Sequence, residues 1–234
     1  MKKILLILLI ISIHLSSMTA MPQAAPAASL SAVPGAHCSA RLIPHTENAA
    51  SAESAYTALD GILSLFMDEV VGSLIDEFAP GELNEKEKEL VKAHPLAAVQ
   101  VAWARDTANA VTEGLFGESW KTENTRENAF RHCLWNALMA YTIGPELARQ
   151  FGDAHEYGMM EKYPENTKMD LHNNEIGYQI GTAPFTEDEL GAEARARYGR
   201  AYGRIFTSYD PHVYVIIDRA CLAMESGLLY WFAD

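Results

Sequence analysis

The sequence predicts an all-α protein, a single compact multi-helix domain with at most one or two marginal short strands, and three observations predict it. Beyond residue 50, apolar residues recur three and four positions apart, the period of a buried helical face. Polar pairs three apart, Asn84 with Glu87, Asn124 with Glu127 and Thr186 with Glu189, stand where such stretches begin and match the helix capping box. Proline and glycine at Pro80-Gly81, Pro95 and Gly144-Pro145 mark where the stretches stop or restart.

The chain opens with Lys2 and Lys3, an apolar run from Ile4 to Leu15 broken only by Ser12 and His14, and then small residues. That order is the pattern of a secretory signal, and the run is short against the roughly 20 residues a membrane span needs. Residues 1–27 are read as signal peptide and cleavage region, residues 28–50 as a flexible leader rich in Ala, Pro and Ser, and residues 51–234 as the helical domain, with its motif core at 124–181. A periplasmic or secreted location is expected, with no transmembrane anchor after processing. Loss of the signal removes two lysines and leaves 16 basic against 31 acidic residues. So acidic a chain repels nucleic acid and anionic surfaces, and no nucleic-acid partner is expected; an anionic small molecule or lipid becomes a substrate only where a bound cation reverses the local field. With 49% hydrophobic residues the chain can bury one substantial core.

Leu59, Leu63, Phe66, Val70 and Leu74 define a first amphipathic helix that ends before Pro80. Asn84 and Glu87 open a short charged helix that stops near His94-Pro95. The next runs from Leu96 to Phe116, is rich in alanine, and carries Asp106, Asn109 and Glu113 along one solvated stripe. Asn124 caps a helix reaching Gly144, with Phe130, Leu134, Leu138 and Tyr141 toward the core, and Pro145 begins another. Asn166 caps a helix through Ile180, and Thr186 one through Arg204. From Pro211 a β-branched run, Val213 to Ile217, precedes a helix to Gly227, and Leu228 to Phe232 forms a short strand or a terminal turn. Of the three cysteines, Cys133 and Cys221 both fall in helices and are the first choice for a disulfide, with buried free thiols as the alternative; Cys38 lies in the leader.

Chemistry concentrates in three clusters: Asn128 to Met139 (NAFRHCLWNALM), Asp153 to Glu156 (DAHE) and Met169 to Gly177 (MDLHNNEIG). His132 and Asn136 stack four apart on one side of their helix, Asp153 and Glu156 share a face, and Asp170, Asn173, Asn174 and Gly177 share another, where the glycine permits close backbone approach. Successive helices pack as antiparallel neighbours, so the three polar faces can converge. His132, Asp153, Glu156, Asp170 and Asn173 then offer mixed nitrogen and oxygen ligands to a divalent ion. Oxygen donors suit calcium, magnesium or manganese, and imidazole shifts the preference toward zinc. His132, Glu156 and Asp170 are the candidate catalytic groups, Glu156 as base; Arg131, Asn136 and Asn174 are the candidate substrate contacts. His155-Glu156 starts like a zinc-protease motif, but Met159 stands where its second histidine belongs, and no Gly-x-Ser-x-Gly occurs.

Those three clusters, in their order and spacing, resemble a bacterial domain of unknown function found in wall-associated proteins and at the C-terminal ends of Rhs-repeat, polymorphic-toxin-like proteins. The resemblance covers about fifty residues and implies that His132, Trp135, Asn136, His155, Glu156, Asp170, Asn173 and Asn174 follow the family's pattern. This chain departs from the usual setting by being short and carrying its own signal. A fainter likeness is to prokaryotic phospholipase A2, whose Arg-His-Asp run binds calcium; here Cys133 follows Arg131-His132. The expectation is an exported metal-assisted hydrolase acting on a phosphoester, phospholipid or cell-envelope intermediate. The alternative is a non-catalytic binding module whose polar network is architectural and which meets a protein partner.

Overall fold

Asn84 opens the first described helix with a complete capping box: its side chain accepts from the amides of Lys86 and Glu87, and Glu87 Oε2 accepts from the Asn84 amide. The structure is a computed structural model and describes residues 83–233. The signal, the leader, Cys38 and the amphipathic stretch Leu59–Leu74 lie outside those residues. Among the described residues there are nine α-helices, one 3-10 helix and no strand. They are α1 (Glu85–Ala93), α2 (Pro95–Phe116), the 3-10 helix (Gly117–Lys121), α3 (Arg126–Ile143), α4 (Pro145–His155), α5 (Met159–Lys162), α6 (Pro164–Thr182), α7 (Glu187–Leu190), α8 (Ala192–Tyr202) and α9 (Pro211–Glu225). None of them is long and apolar enough to cross a membrane.

α3 is the axis of the fold and packs against α2, α4, α6 and α9. It is buried from His132 to Ala140 without interruption, so it has no strong amphipathic pattern: neighbours surround it on every side. Phe130, Leu134 and Leu138 are fully enclosed, and Tyr141 reaches out to donate its hydroxyl to Asp210 Oδ2 at 2.7 Å. The closest helix pair is α3 with α6, and small residues make it possible. A Cβ at Gly177 would stand 2.4 Å from the Cys133 carbonyl oxygen, and one at Gly181 would stand 2.2 Å from that of Ala137. Those glycines, four apart, bring the two backbones together along one line.

Several expected boundaries move. Asn124 does not cap α3; it takes a positive φ of 67°, and its carbonyl accepts the amides of Phe232 and Ala233. Thr125 caps instead, accepting from the Asn128 amide at 3.2 Å. Asn166 lies inside the first turn of α6, which starts at Pro164, and donates to Glu123 Oε2. The Thr186–Glu189 box forms, but α7 lasts one turn and α8 restarts after Gly191. The run Val213 to Ile217 is helical throughout: Asp210 and Pro211 start α9, and burial of Val213, Val215, Ile216 and Ile217 against the core outweighs their β preference. The segment after α9 is not a strand, because Tyr230 exchanges both its backbone bonds with the Asn173 side chain rather than with another chain segment. Cys133 and Cys221 are free thiols. Cys133 is wholly enclosed, and burial raises both thiols, Cys221 to about 11, so they sit as apolar groups.

Candidate functional site

Three helices deliver the polar groups in register. α3 supplies Arg131, His132 and Asn136; the C-terminal end of α4 supplies Gly152 and Glu156, the latter its capping residue; α6 supplies Asp170, Asn174 and Tyr178. Each set after Arg131 is spaced by four, so each forms one vertical stripe on its helix. The glycine contact between α3 and α6 lets two of the stripes face each other at bonding distance, and Asn136 Nδ2 donates to Asn174 Oδ1 at 2.6 Å.

At one end of the stripes His132, Glu156 and Asp170 meet. Their side chains are 5%, 8% and 15% exposed, and one potential ligand atom from each lies within 4.8 Å of the others. His132 Nδ1 is 4.0 Å from Glu156 Oε1, and His132 Nε2 is 3.4 Å from Asp170 Oδ1. Arg131 Nη2 stands 2.7 Å from His132 Nε2. A guanidinium can only donate, so Nε2 accepts and the neutral ring carries its proton on Nδ1.

Burial governs the protonation states. It holds His132 well below the usual imidazole range, and the positive charge of Arg131 adds to that. It raises Glu156, and it raises Asp170 to about 7, with the Glu156 charge adding to the rise. Around this group, His132 Nδ1, Glu156 Oε1, Asp170 Oδ1, Arg131 Nε, Asn136 Oδ1, Asn174 Nδ2 and Tyr178 Oη are enclosed and have no hydrogen-bond partner. Each such group left unpaired costs about 1–3 kcal/mol, so these atoms call for a partner from outside the chain, an ordered water or a bound ion.

The three meeting side chains have donor chemistry that could hold a metal once His132 is released from Arg131. Ions of the relevant size hold nitrogen and oxygen ligands at roughly 2.0–2.6 Å, which matches donor atoms a few ångströms apart around a common centre. Imidazole with two carboxylates is a mixed donor set of the kind that manganese and zinc accept.

Not every expected residue joins. Asp153 is exposed and is not among the three side chains that meet, although its charge is felt at Glu156 and Tyr178. Asn173 is buried, but both ends of its amide bond Tyr230, so it ties the C-terminal segment to α6. The shared face expected for Asp170, Asn173 and Asn174 therefore splits: Asp170 and Asn174 look toward α3, and Asn173 looks toward the tail. Sequence reasoning missed Tyr178 and Gly152. A Cβ at 152 would lie 2.1 Å from the Tyr178 hydroxyl and 2.8 Å from Asn136 Oδ1. Extending the four-residue spacing from Asp170 and Asn174 would have reached Tyr178, and extending it back from Glu156 would have reached Gly152. Also missed were Trp120, whose ring lies 5.7 Å from the Arg131 guanidinium, and the bond between His155 Nδ1 and Glu87 Oε1 at 2.9 Å. That bond fixes a second imidazole 6.2 Å from the His132 ring.

No curated protein and no solved structure matches this chain. Residues 88–196 do match a family described as a domain of unknown function, DUF6973, and that span contains all three meeting side chains and the helices that carry them.

Proposed function

We propose that this protein is an exported metal-assisted hydrolase whose ion is held by His132, Glu156 and Asp170. One observation carries the reading: three enclosed side chains with metal-ligand chemistry converge within 4.8 Å, and each has a buried atom without a hydrogen-bond partner. A purely architectural network accounts for the Asn136–Asn174 bond but leaves those atoms unexplained. The donor set favours manganese or zinc over calcium, which prefers six to eight oxygens.

A divalent ion there would supply a water of lowered pKa and a positive charge for a developing oxyanion. The chain's own groups do the rest. Glu156 would take the proton of the attacking water on the carboxylate oxygen that the ion leaves free, while Asp170 and His132 hold the ion. Asn136 and Asn174 fix the spacing of α3 and α6 behind the ligands. The likeness to wall-associated and Rhs-repeat proteins, together with the signal-like start of the chain, supports action at the cell envelope or on competitor cells, on an anionic ester.

The test is ion uptake. Purified protein is expected to bind manganese or zinc and to gain about 2–3 kcal/mol of stability at 100 times the dissociation constant. His132→Ala and Glu156→Ala should abolish both that gain and hydrolysis of chromogenic phosphoesters, with helical circular dichroism retained. Absence of any ion-dependent thermal shift in the wild-type protein would end the proposal.

A further inference from the structure

Arg131 is a cation set among the carboxylates of Asp170, Glu156 and Glu123, yet none of them accepts a hydrogen bond from it. Its Nη2 spends a donor on His132 Nε2, its Nε is enclosed without an acceptor in the protein, and its guanidinium lies over the Trp120 ring, 5.7 Å from the centroid, whose indole Nε1 is also enclosed without an acceptor. Two enclosed donors thus lie on either side of a cation–π contact, neither with an acceptor in the protein.

The imidazole bookkeeping makes this arrangement incompatible with a bound ion. Neutral His132 has one lone pair, on Nε2, and Arg131 occupies it. An ion binding Nε2 displaces the guanidinium directly. An ion binding Nδ1 moves the proton to Nε2, and two N–H groups would then face each other at 2.7 Å. Arg131 leaves in either case. Charge then shifts: Asp170, Glu156 and Glu123, if ionised, sum with Arg131 to two negative charges, and a divalent ion offsets both, leaving the guanidinium without an excess of carboxylate around it.

We propose that ion binding displaces Arg131 from His132, and that the freed guanidinium and the Trp120 indole N–H then bind a phosphate group of the substrate beside the ion. This rests on the metal reading above and names its substrate class, a phosphoester. The guanidinium fork matches phosphate oxygens, and the indole, whose ring centre is 5.7 Å from the guanidinium, is near enough for its N–H to share the same group.

The test uses the full chain as wild type, R131M and W120F, with ion affinity and inorganic phosphate affinity measured by calorimetry. Phosphate should bind only the manganese- or zinc-loaded wild type. R131M should bind the ion about tenfold more tightly and phosphate at least about tenfold more weakly, two effects of opposite sign. W120F keeps an aromatic ring beside the guanidinium but loses the N–H; its ion affinity should be unchanged and its phosphate affinity reduced severalfold. Unchanged or weaker ion binding by R131M, or undiminished phosphate binding by both variants, overturns the proposal while leaving the metal centre standing. Failure of wild type and R131M alike to take up an ion overturns the metal reading itself. Co-sedimentation of loaded protein with phosphatidylglycerol vesicles, reversed by inorganic phosphate, identifies a lipid headgroup as the source. Phosphate binding without vesicle binding identifies a soluble phosphoester. Both results support the subsite.

Discussion

Arg219 and Arg131 flank opposite ends of α6, and their surroundings differ in kind. Arg219, on α9, spends every donor group: Nε and Nη2 grip the two oxygens of Glu189 at 2.8 Å, and the Nη atoms also bond the carbonyls of Ile180, Ala183 and Pro184 where α6 ends. That pairing holds Glu189 down to about 2 and closes the C-terminal end of the helix. Arg131, toward the other end, has three carboxylates around it, bonds none of them, and leaves Nε unpaired. A buried guanidinium that is fully paired is a fastening. Arg131, by contrast, makes a single bond, to His132 Nε2, and keeps an enclosed Nε without an acceptor in the protein, so the proposed site lies where α6 is least tightly fastened.

The comparison can be broken most sharply between the two ends. Gly181→Ala places a Cβ against the Ala137 carbonyl and should cost about 3 kcal/mol, read as a lowered urea midpoint. Arg219→Met leaves Glu189 and the last α6 carbonyls without a donor and should cost about 2 kcal/mol, with ion affinity unchanged. If Arg219→Met abolished ion binding, the two ends would not be separate.

A smaller effect is expected from pH in the ion-free protein. Asp170 is raised by burial to about 7, so between about pH 4 and 7 the folded chain keeps a proton that the unfolded chain releases, and stability falls as pH rises through that window. His132 works in the opposite direction: it is buried neutral, so below about pH 6.5 the unfolded chain gains a proton and stability falls as pH drops. Asp170→Asn should remove the first slope and keep the second, measured by urea midpoints from pH 4.5 to 7.5. An unchanged profile would show that Asp170 ionises normally. Smallest of all, Asp153→Asn should leave ion affinity within about twofold, since an exposed carboxylate outside the cluster adds only screened attraction.

Much of this was legible in order along the chain. Capping boxes at Asn84 and Thr186 depend on residues three apart, and both formed. Gly144-Pro145 ended one helix and began the next for local reasons of φ and missing N–H. The stripe pairing His132 with Asn136 followed from helical spacing alone, as did that of Asp170 with Asn174. What spacing could not supply was the neighbour on the other side. Asn124 has the composition of a cap, but the amides of Phe232 and Ala233, more than a hundred residues away, claim its carbonyl. Asn173 stands next to Asn174 in sequence, and one helical step turns it toward Tyr230 instead of α3. Val213 to Ile217 has strand-like composition, and the core around α9 made it helix.

The sequence by itself determined the all-α class, the positions of most helix starts, and which side chains share a stripe, because periodicity and capping act within a few residues. Tertiary structure alone decided which stripes face each other. Gly177 and Gly181 let α3 and α6 approach closely enough for His132 and Asp170 to meet, the end of α4 brought Glu156 to them, and burial among these helices took water away from groups that would otherwise be ordinary surface acids and an ordinary histidine.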